Sequence, residues 1–439
     1  MSLRRFLYTL LLYLIFPFVI LKLFWRSASN PAYRQRIPER LGIVKPDSDA
    51  PVIWVHAVSV GEAIASQPLI ESLIETYPNH RILVTTTTPT GSDRVKSLFS
   101  ERVAHVYYPY DLPEIIYRFL KRMKPKILIV VETEIWPNLY AACHKRDIPI
   151  IIVNARLSAK STKSYGKIKA LVAETLSYVS TIAVRSKADA DSFRKLGASE
   201  AAIQVSGNIK FDIELDQKQI SRGKERRKQW GIKRPVLVVA STHEGEDEKL
   251  LDIYKNLLTS FPDLLLILIP RHPERFDKVY ELCLERFSKE QKEQRKTSDK
   301  PINIKRHTQI HDYKSIETNI IIGDSMGEMQ SWFATADVTF IGGSLVETGG
   351  HNPLEAIVQG VPVVSGPHMF NFEDIVLELD NSDLLTICHN EKQVGDKISN
   401  LLTLTQDSGT NNFQQKAQII MQQQQGVTAR LMRIISEYV

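Results

Sequence analysis

From Pro51 onward, short runs of β-branched and aliphatic residues alternate with longer stretches whose apolar positions recur every three or four residues. That rhythm predicts βαβ units on parallel sheet. Strands are expected over residues 52–56, 81–85, 127–131, 149–154 and 181–184, and again over 236–240, 264–269, 318–322, 338–341 and 361–364. The pattern breaks near Gly207, and the charged stretch 218–228 reads as a solvated linker or helix before the next strand. Two Rossmann-like lobes are therefore expected, over 31–215 and 216–439. Between Arg286 and Lys305 the lysine- and glutamine-rich sequence lacks apolar periodicity and reads as a surface excursion.

The N-terminus departs from this rhythm. Phe6 to Leu21 carries no charge and lies between Arg4-Arg5 and Lys22. The run is shorter than the roughly twenty residues a spanning helix needs, although Lys22 can snorkel and extend it through Trp25. No small-residue cleavage site follows, so residues 1–30 are expected to be an uncleaved membrane anchor helix rather than an exported signal. Lys22, Arg26, Arg34, Arg36 and Arg40 outnumber Arg4 and Arg5, which places the following body on the cytoplasmic side of the membrane. A buried core helix is the alternative.

Composition changes this picture little. With 439 residues, 43% hydrophobic and 24% charged, the chain can bury two cores and is not disordered. A net charge of +6 favours an anionic partner without choosing one. Cys143, Cys283 and Cys388 have no paired spacing, which argues against a zinc site or a disulfide framework.

Candidate chemistry gathers after the expected strands, where parallel sheets place their ligands. On the first lobe, Gly61-Glu62 sits at a strand-to-helix turn. Glu62 reads either as a general base or as a carboxylate complementing the helix dipole. The hydroxyl-rich loop 85–91 reads as a helix cap or an anion-binding loop. Glu132 and Glu134 follow a strand directly, and such a polar strand end suits orientation of a polar ligand; a salt bridge to the basic cluster 121–126 is the alternative. Lys210, in Gly207-Asn-Ile-Lys-Phe-Asp212, reads either as an ammonium that stabilises negative charge or as a solvated lysine.

On the second lobe, Ser241 to Glu246 and Pro270 to Arg275 are strand-end loops rich in hydrogen-bonding groups. Arg271 suits a phosphate through its planar fork, and His272 a phosphate or a base. The glycines of Gly323-Asp-Ser-Met-Gly-Glu328 permit close approach of a ligand. In Gly342-Gly-Ser344 and Gly349-Gly-His-Asn-Pro-Leu-Glu355, Asn352 is a good helix N-cap and Pro353 a good first helical residue, so a helix end facing a phosphate is expected. Glu355 then suits ribose hydroxyls. Neither a Walker loop nor a dinucleotide fingerprint is present, which counts against an NTPase or a dehydrogenase.

At these residues the chain resembles the bacterial 3-deoxy-D-manno-octulosonic acid (Kdo) transferases of lipid A assembly. The resemblance rests on six motifs in order: His56-Ala-Val-Ser-Val-Gly-Glu62, Glu132-Thr-Glu-Ile-Trp-Pro-Asn138, Gly207-Asn-Ile-Lys210, Pro270-Arg-His-Pro273, Gly323-Asp-Ser-Met-Gly-Glu328 and Gly349-Gly-His-Asn-Pro-Leu-Glu355. It implies an α/β GT-B glycosyltransferase fold, two Rossmann-like lobes facing a cleft. It implies that Glu62 is the catalytic base, with Glu132 and Lys210 supporting the transition state. It further implies CMP contacts from Arg271, His272, Met326, Gly327, Glu328, Asn352, Pro353, Leu354 and Glu355. The expected partners are CMP-Kdo, a lipid A precursor (lipid IVA) and membrane phospholipid, with no nucleic acid, no cofactor beyond the donor and no metal. The sole Asp-x-Asp spacing, Asp189 to Asp191, falls in an expected helix and is a poor metal site. The rival functions are a nucleotide-sugar 2-epimerase, which needs no lipid, and a tethered nucleotide-binding protein without turnover.

Overall fold

A computed structural model describes residues 1–293, 302–310, 313, 317–408 and 411–439. The chain forms two compact units, Met1–Asp212 with Gln424–Val439, and Ile213–Gln423. The final segment, which the periodicity assigned to the second lobe, belongs to the first. Residues 1–30 pack within the first unit as well.

The first unit holds β1 (Val52–His56), β2 (Arg81–Thr86), β3 (Ala104–Tyr107), β4 (Pro125–Val131), β5 (Ile150–Ala155), β6 (Thr181–Val184) and β7 (Ile203–Val205) in one parallel sheet, ordered β3-β2-β1-β4-β5-β6-β7. Both faces are covered, and the residues alternate between two cores. Trp54, Leu83, Leu128, Val130 and Ile152 enter one; Ile53, Val55, Val84, Ile129 and Val153 enter the other. Burial on both faces explains why these strands read as continuous apolar runs. The strand order reverses between β1 and β4, which makes the carboxyl ends of these two strands the topological switch point.

The second unit repeats the plan with β8 (Val236–Thr242), β9 (Leu265–Pro270), β10 (Ile304–Arg306), β11 (Ile320–Ile322), β12 (Val338–Ile341), β13 (Val363–Ser365) and β14 (Leu385–Ile387), ordered β10-β11-β9-β8-β12-β13-β14 and again parallel. Its switch point lies between β8 and β12. The surface excursion expected at 286–305 is only partly described: Phe276–Glu293 is helical and Ile304–Arg306 is β10, while 294–301 lie outside the described residues. The charged stretch 218–228 lies in the helix Gln217–Trp230.

The C-terminal helix Val427–Ser436 returns to the first unit because one face of it is apolar: Val427, Leu431 and Ile435 complete the core that holds Ile53 and Val55. Asp212 fixes its start. Its carboxylate accepts from the amides of Gly426 (2.7 Å), Val427 (3.2 Å) and Thr428. Asp212→Ala leaves three amides at this helix start without their acceptor. A lost cap costs about 0.5–2 kcal/mol, so thermal unfolding should begin at a lower temperature in the variant, with the first unit losing its helical signal earlier than the second.

Candidate active site

On the first lobe, three carboxylates follow the two strands at the switch point. After β1, Ser59 caps the helix Val60–Ala65 by accepting the Glu62 amide at 3.2 Å. The Glu62 carboxylate folds back, accepting the Val58 amide at 2.7 Å and the Ser59 hydroxyl at 3.0 Å. This is a capping box, so Glu62 does occupy the first-turn position of the structural alternative. Its ionisation is far from that of an ordinary cap. Burial is the largest influence and raises its pKa from 4.5 to about 7; the Val58 amide opposes the rise, and the negative charges of Glu132 and Glu134 add to it.

Glu132 follows β4 directly with a left-handed backbone, φ 61°. A non-glycine residue held there costs about 1–3 kcal/mol, and such strain concentrates at functional sites. Its carboxylate pairs with Arg156 at 3.0 Å rather than with the basic cluster at 121–126. Glu134 is pushed up to about 7 by burial and by Glu132. Near the end of neighbouring β5 lies Asn154, whose side chain accepts the Ile209 amide at 3.1 Å and thereby ties down the turn Ile209–Phe211 that carries half-buried Lys210. The structure therefore couples Glu62, Glu132 and Glu134 electrostatically. It also fixes the backbone of Lys210 to the carboxyl end of β5.

On the second lobe the loop after β12 is shaped by a carboxylate that the sequence did not single out. Glu246, fully buried after β8, accepts backbone amides from His243 (2.9 Å), Gly343 (2.6 Å), Ser344 (3.0 Å) and Leu345 (2.8 Å). Gly343 sits at φ 68°, and a β-carbon there would lie 2.8 Å from the Thr348 hydroxyl oxygen, so the turn requires glycine. Glu246 thus joins the ends of β8 and β12 across the switch point.

Above this turn His243 and His351 stack, with their Nε2 atoms 2.8 Å apart, and His272 meets His243 edge-on. Burial first, then Arg271, His243 and His272, lower the pKa of His351 to about 4; burial likewise lowers that of His243. Both are neutral near pH 7, and one donates to the other. Arg271 is exposed, and among the described residues no side chain pairs with its guanidinium. Cationic and neutral donors gather here, and the nearby Glu246 carboxylate is taken up by backbone amides, which suits a phosphate.

The remaining expected contacts divide. Asn352 does cap, accepting the Leu354 amide at 3.1 Å, but the helix it starts is the single turn Leu354–Ile357. The extended helix dipole expected at Pro353 is therefore absent. Gly360, at φ 77°, turns the chain out of the helix before Pro362. Glu355 is half-buried and raised by burial alone, and no hydrogen-bond partner for its carboxylate occurs among the described residues. Met326 is exposed and Gly327 is left-handed at φ 79°. Glu328 is engaged within the protein by Ser325, by Arg222 at 3.0 Å and by His307 at 2.8 Å. Burial pushes Glu328 up, but Ser325, His307 and Arg226 outweigh it and hold the carboxyl below its usual value. A ligand at this loop meets backbone and Met326 rather than the Glu328 carboxylate.

The ionisation of Glu62 predicts a pH-dependent stability. Because its folded pKa is raised, the folded chain retains a proton that the unfolded chain releases, and the resulting stabilisation is present below about 4.5 and lost as pH rises through about 7. Glu62→Gln cannot ionise. It should therefore unfold at a higher temperature than the parent at pH 8 and at nearly the same temperature at pH 4, in a pair of thermal melts. Equal melting at pH 8 would refute the desolvated state of Glu62.

Residues 35–213 match the family described as 3-deoxy-D-manno-octulosonic-acid transferase (kdotransferase). The chain is 42% identical over 373 residues to the 3-deoxy-D-manno-octulosonic acid transferase of Haemophilus influenzae, covering 84% of each chain. It is 34% identical over 380 residues to the enzyme of that name from Bordetella pertussis, again covering 84% of each. Among solved structures it is similar to the Anabaena protein Alr3699/HepE in complex with UDP, at a TM-score of 0.51 and 14% identity over 88% of this chain and all of the other. That likeness is one of fold: two parallel-sheet α/β lobes like those of the GT-B glycosyltransferases. With the sequence matches spanning most of both chains, the protein belongs to the 3-deoxy-D-manno-octulosonic acid transferase family.

Proposed function

We propose that this Kdo transferase takes Kdo from CMP-Kdo and adds it to a lipid A precursor, lipid IVA, at the cytoplasmic face of the inner membrane, with inversion and without a metal. The observation that carries the reading is Glu62, a carboxyl at the switch point whose burial and anionic neighbours raise its pKa to about 7. A base is most effective when its pKa lies near the working pH. Glu62 takes the proton of a sugar hydroxyl on the acceptor. The freed oxygen forms a bond to the anomeric carbon of Kdo, the bond from that carbon to the phosphate oxygen breaks, and its electron pair leaves with CMP.

Glu132, held by Arg156 in a strained conformation, and Lys210 support the developing charge. On the second lobe Arg271 and His272 contact the phosphate, with Met326, Gly327 and Glu328 and the turn Asn352, Pro353, Leu354 and Glu355 forming the rest of the cytidylate site. Glu355, a half-buried carboxyl with no hydrogen-bond partner among the described residues, suits ribose hydroxyls. Charge on the leaving phosphate is met by Arg271 and by hydrogen bonds from the neighbouring imidazoles. The apolar N-terminal helix favours a lipid acceptor, which an epimerase would not need.

The test is incubation of the full-length protein with CMP-Kdo and tetraacylated lipid IVA, followed by mass spectrometry of the lipid. The expected result is a lipid heavier by one or more Kdo units, in the presence or absence of EDTA. Glu62→Gln should reduce turnover by about 10²–10⁴-fold, the usual contribution of a general base, while CMP still binds. Conversion of the nucleotide sugar without lipid, or full turnover by Glu62→Gln, would overturn the reading.

A further inference from the structure

The N-terminal helix α1, Leu3–Ser29, is long and apolar enough to cross a bilayer. Its placement on the first unit points to a different arrangement. Successive helical residues turn by about 100°, so positions 2, 5, 9, 12, 16, 20, 23 and 27 share one face. Along α1 these positions are all buried or half-buried, with Tyr8 and Val19 half-buried beside them, and the opposite face, with Leu10, Leu14, Phe18, Leu21 and Trp25, is exposed.

The covered face is polar where it meets the lobe. The Ser2 hydroxyl donates to Glu174 at 2.5 Å and the Thr9 hydroxyl to Asn138 at 3.1 Å, while at the border of this face the half-buried Tyr8 hydroxyl donates to Asp111 at 3.0 Å and the exposed Tyr13 hydroxyl to Glu114 at 2.5 Å. Phe16 meets Tyr110 edge-on. Arg5 and Thr9 are only 7% and 6% exposed. Towards the other end Leu23 and Ser27 are also buried, and the turn Pro31–Arg34 folds back on the helix through Arg26 and Tyr33.

We infer that α1 does not cross the membrane but lies in its plane, clamped to the first lobe along the Ser2–Phe16 face, with its opposite face sunk into one leaflet. Crossing would require one of two unfavourable steps. If α1 undocked, Arg5 and the bonded hydroxyls would be left in hydrocarbon without partners. If it stayed docked, the lobe edge bearing Asp111, Glu114 and Glu174 would have to enter the lipid with it. An in-plane helix avoids both and buries its apolar face to a depth of about 5–10 Å.

Charge beside the helix fits the same orientation. The helix Pro113–Met123, which receives Tyr13 through Glu114, presents Tyr117, Arg118, Lys121 and Arg122 together with Glu114 around a shallow groove on its own surface. These cations suit the anionic headgroups of the leaflet that α1 enters. The positive-charge count that orients a spanning helix loses its meaning here, because Arg5 is part of the docked face rather than of a free flank.

This inference rests on the proposed membrane association, and its test separates the two. An epitope tag with a protease site is placed ahead of Met1, and membranes are prepared as right-side-out spheroplasts and as inside-out vesicles. The tag should resist protease in spheroplasts and be removed in inside-out vesicles, as the catalytic body is. In a second measurement, Leu10→Cys, Leu14→Cys, Phe18→Cys and Leu21→Cys carry a fluorophore in vesicles of zwitterionic and anionic phospholipid with depth-graded spin-labelled quenchers. All four should report one shallow depth. Removal of the tag in spheroplasts, or depths that pass through the bilayer centre along the helix, would overturn the in-plane arrangement alone. Failure of the protein to bind the vesicles at all would defeat the membrane association together with it.

Discussion

A carboxylate removed from water must be compensated by donors or it gives up its charge, and the sites of this protein follow from how three buried carboxyls meet that condition. Glu246 is compensated fully: four backbone amides surround it, it joins β8 to β12, and the glycine turn takes its shape from that arrangement. Glu62 is compensated only in part. It has the Val58 amide and the Ser59 hydroxyl, but burial first and two neighbouring negative charges after it raise its affinity for a proton into the neutral range. Asp111, fully enclosed, accepts the amides of Asn138 and Leu139 and the hydroxyl of Tyr8, and in doing so holds α1 against the lobe. One physical requirement thus gives a rigid loop, a base and a docked helix.

The two lobes use the same topology for different chemistry. At each switch point a backbone outlier marks the strand end, Glu132 at φ 61° on the first sheet and Ser241 at φ 60° on the second. On the first sheet the side chains there are acidic, and burial together with the neighbouring negative charge raises the pKa of Glu62 and of Glu134. On the second they are Arg271 and the imidazoles of His243, His272 and His351, where burial first and then Arg271, His243 and His272 depress the pKa of His351. A proton acceptor belongs on the first surface and an anion on the second, a division consistent with family membership and independent of it.

The central strands were legible because burial on both faces leaves uninterrupted runs such as Ile127 to Val131. The strands that periodicity did not predict, β3, β7, β10 and β14, are the four sheet edges, short and partly exposed, where alternation has too few residues to register. The site motifs were legible as polar residues after strands, but the partners within them were not. Glu246 was one polar residue in a strand-end loop, and only the fold brings Gly343 to Leu345 onto it. The pairing of His243 with His351 likewise spans 108 positions. The C-terminal helix was assigned to the wrong lobe because an apolar face does not say which core it completes; Asp212 supplies that information through its three amides. In α1 the spacing of Ser2, Arg5, Thr9 and Phe16 was present in the sequence, yet the apolar run around it dominated the reading.

Burial is the main cause of the raised pKa of Glu62, and neighbouring negative charge adds to it. The most direct measurement is the pH dependence of kcat/KM for Kdo transfer by the parent chain and by Glu134→Gln. The parent should gain activity through an ionisation near pH 7, and removal of the Glu134 charge should move that limb to lower pH while transfer persists. An acidic limb near 4.5 in the parent, or a limb that stays in place in the variant, would contradict this origin of the raised pKa.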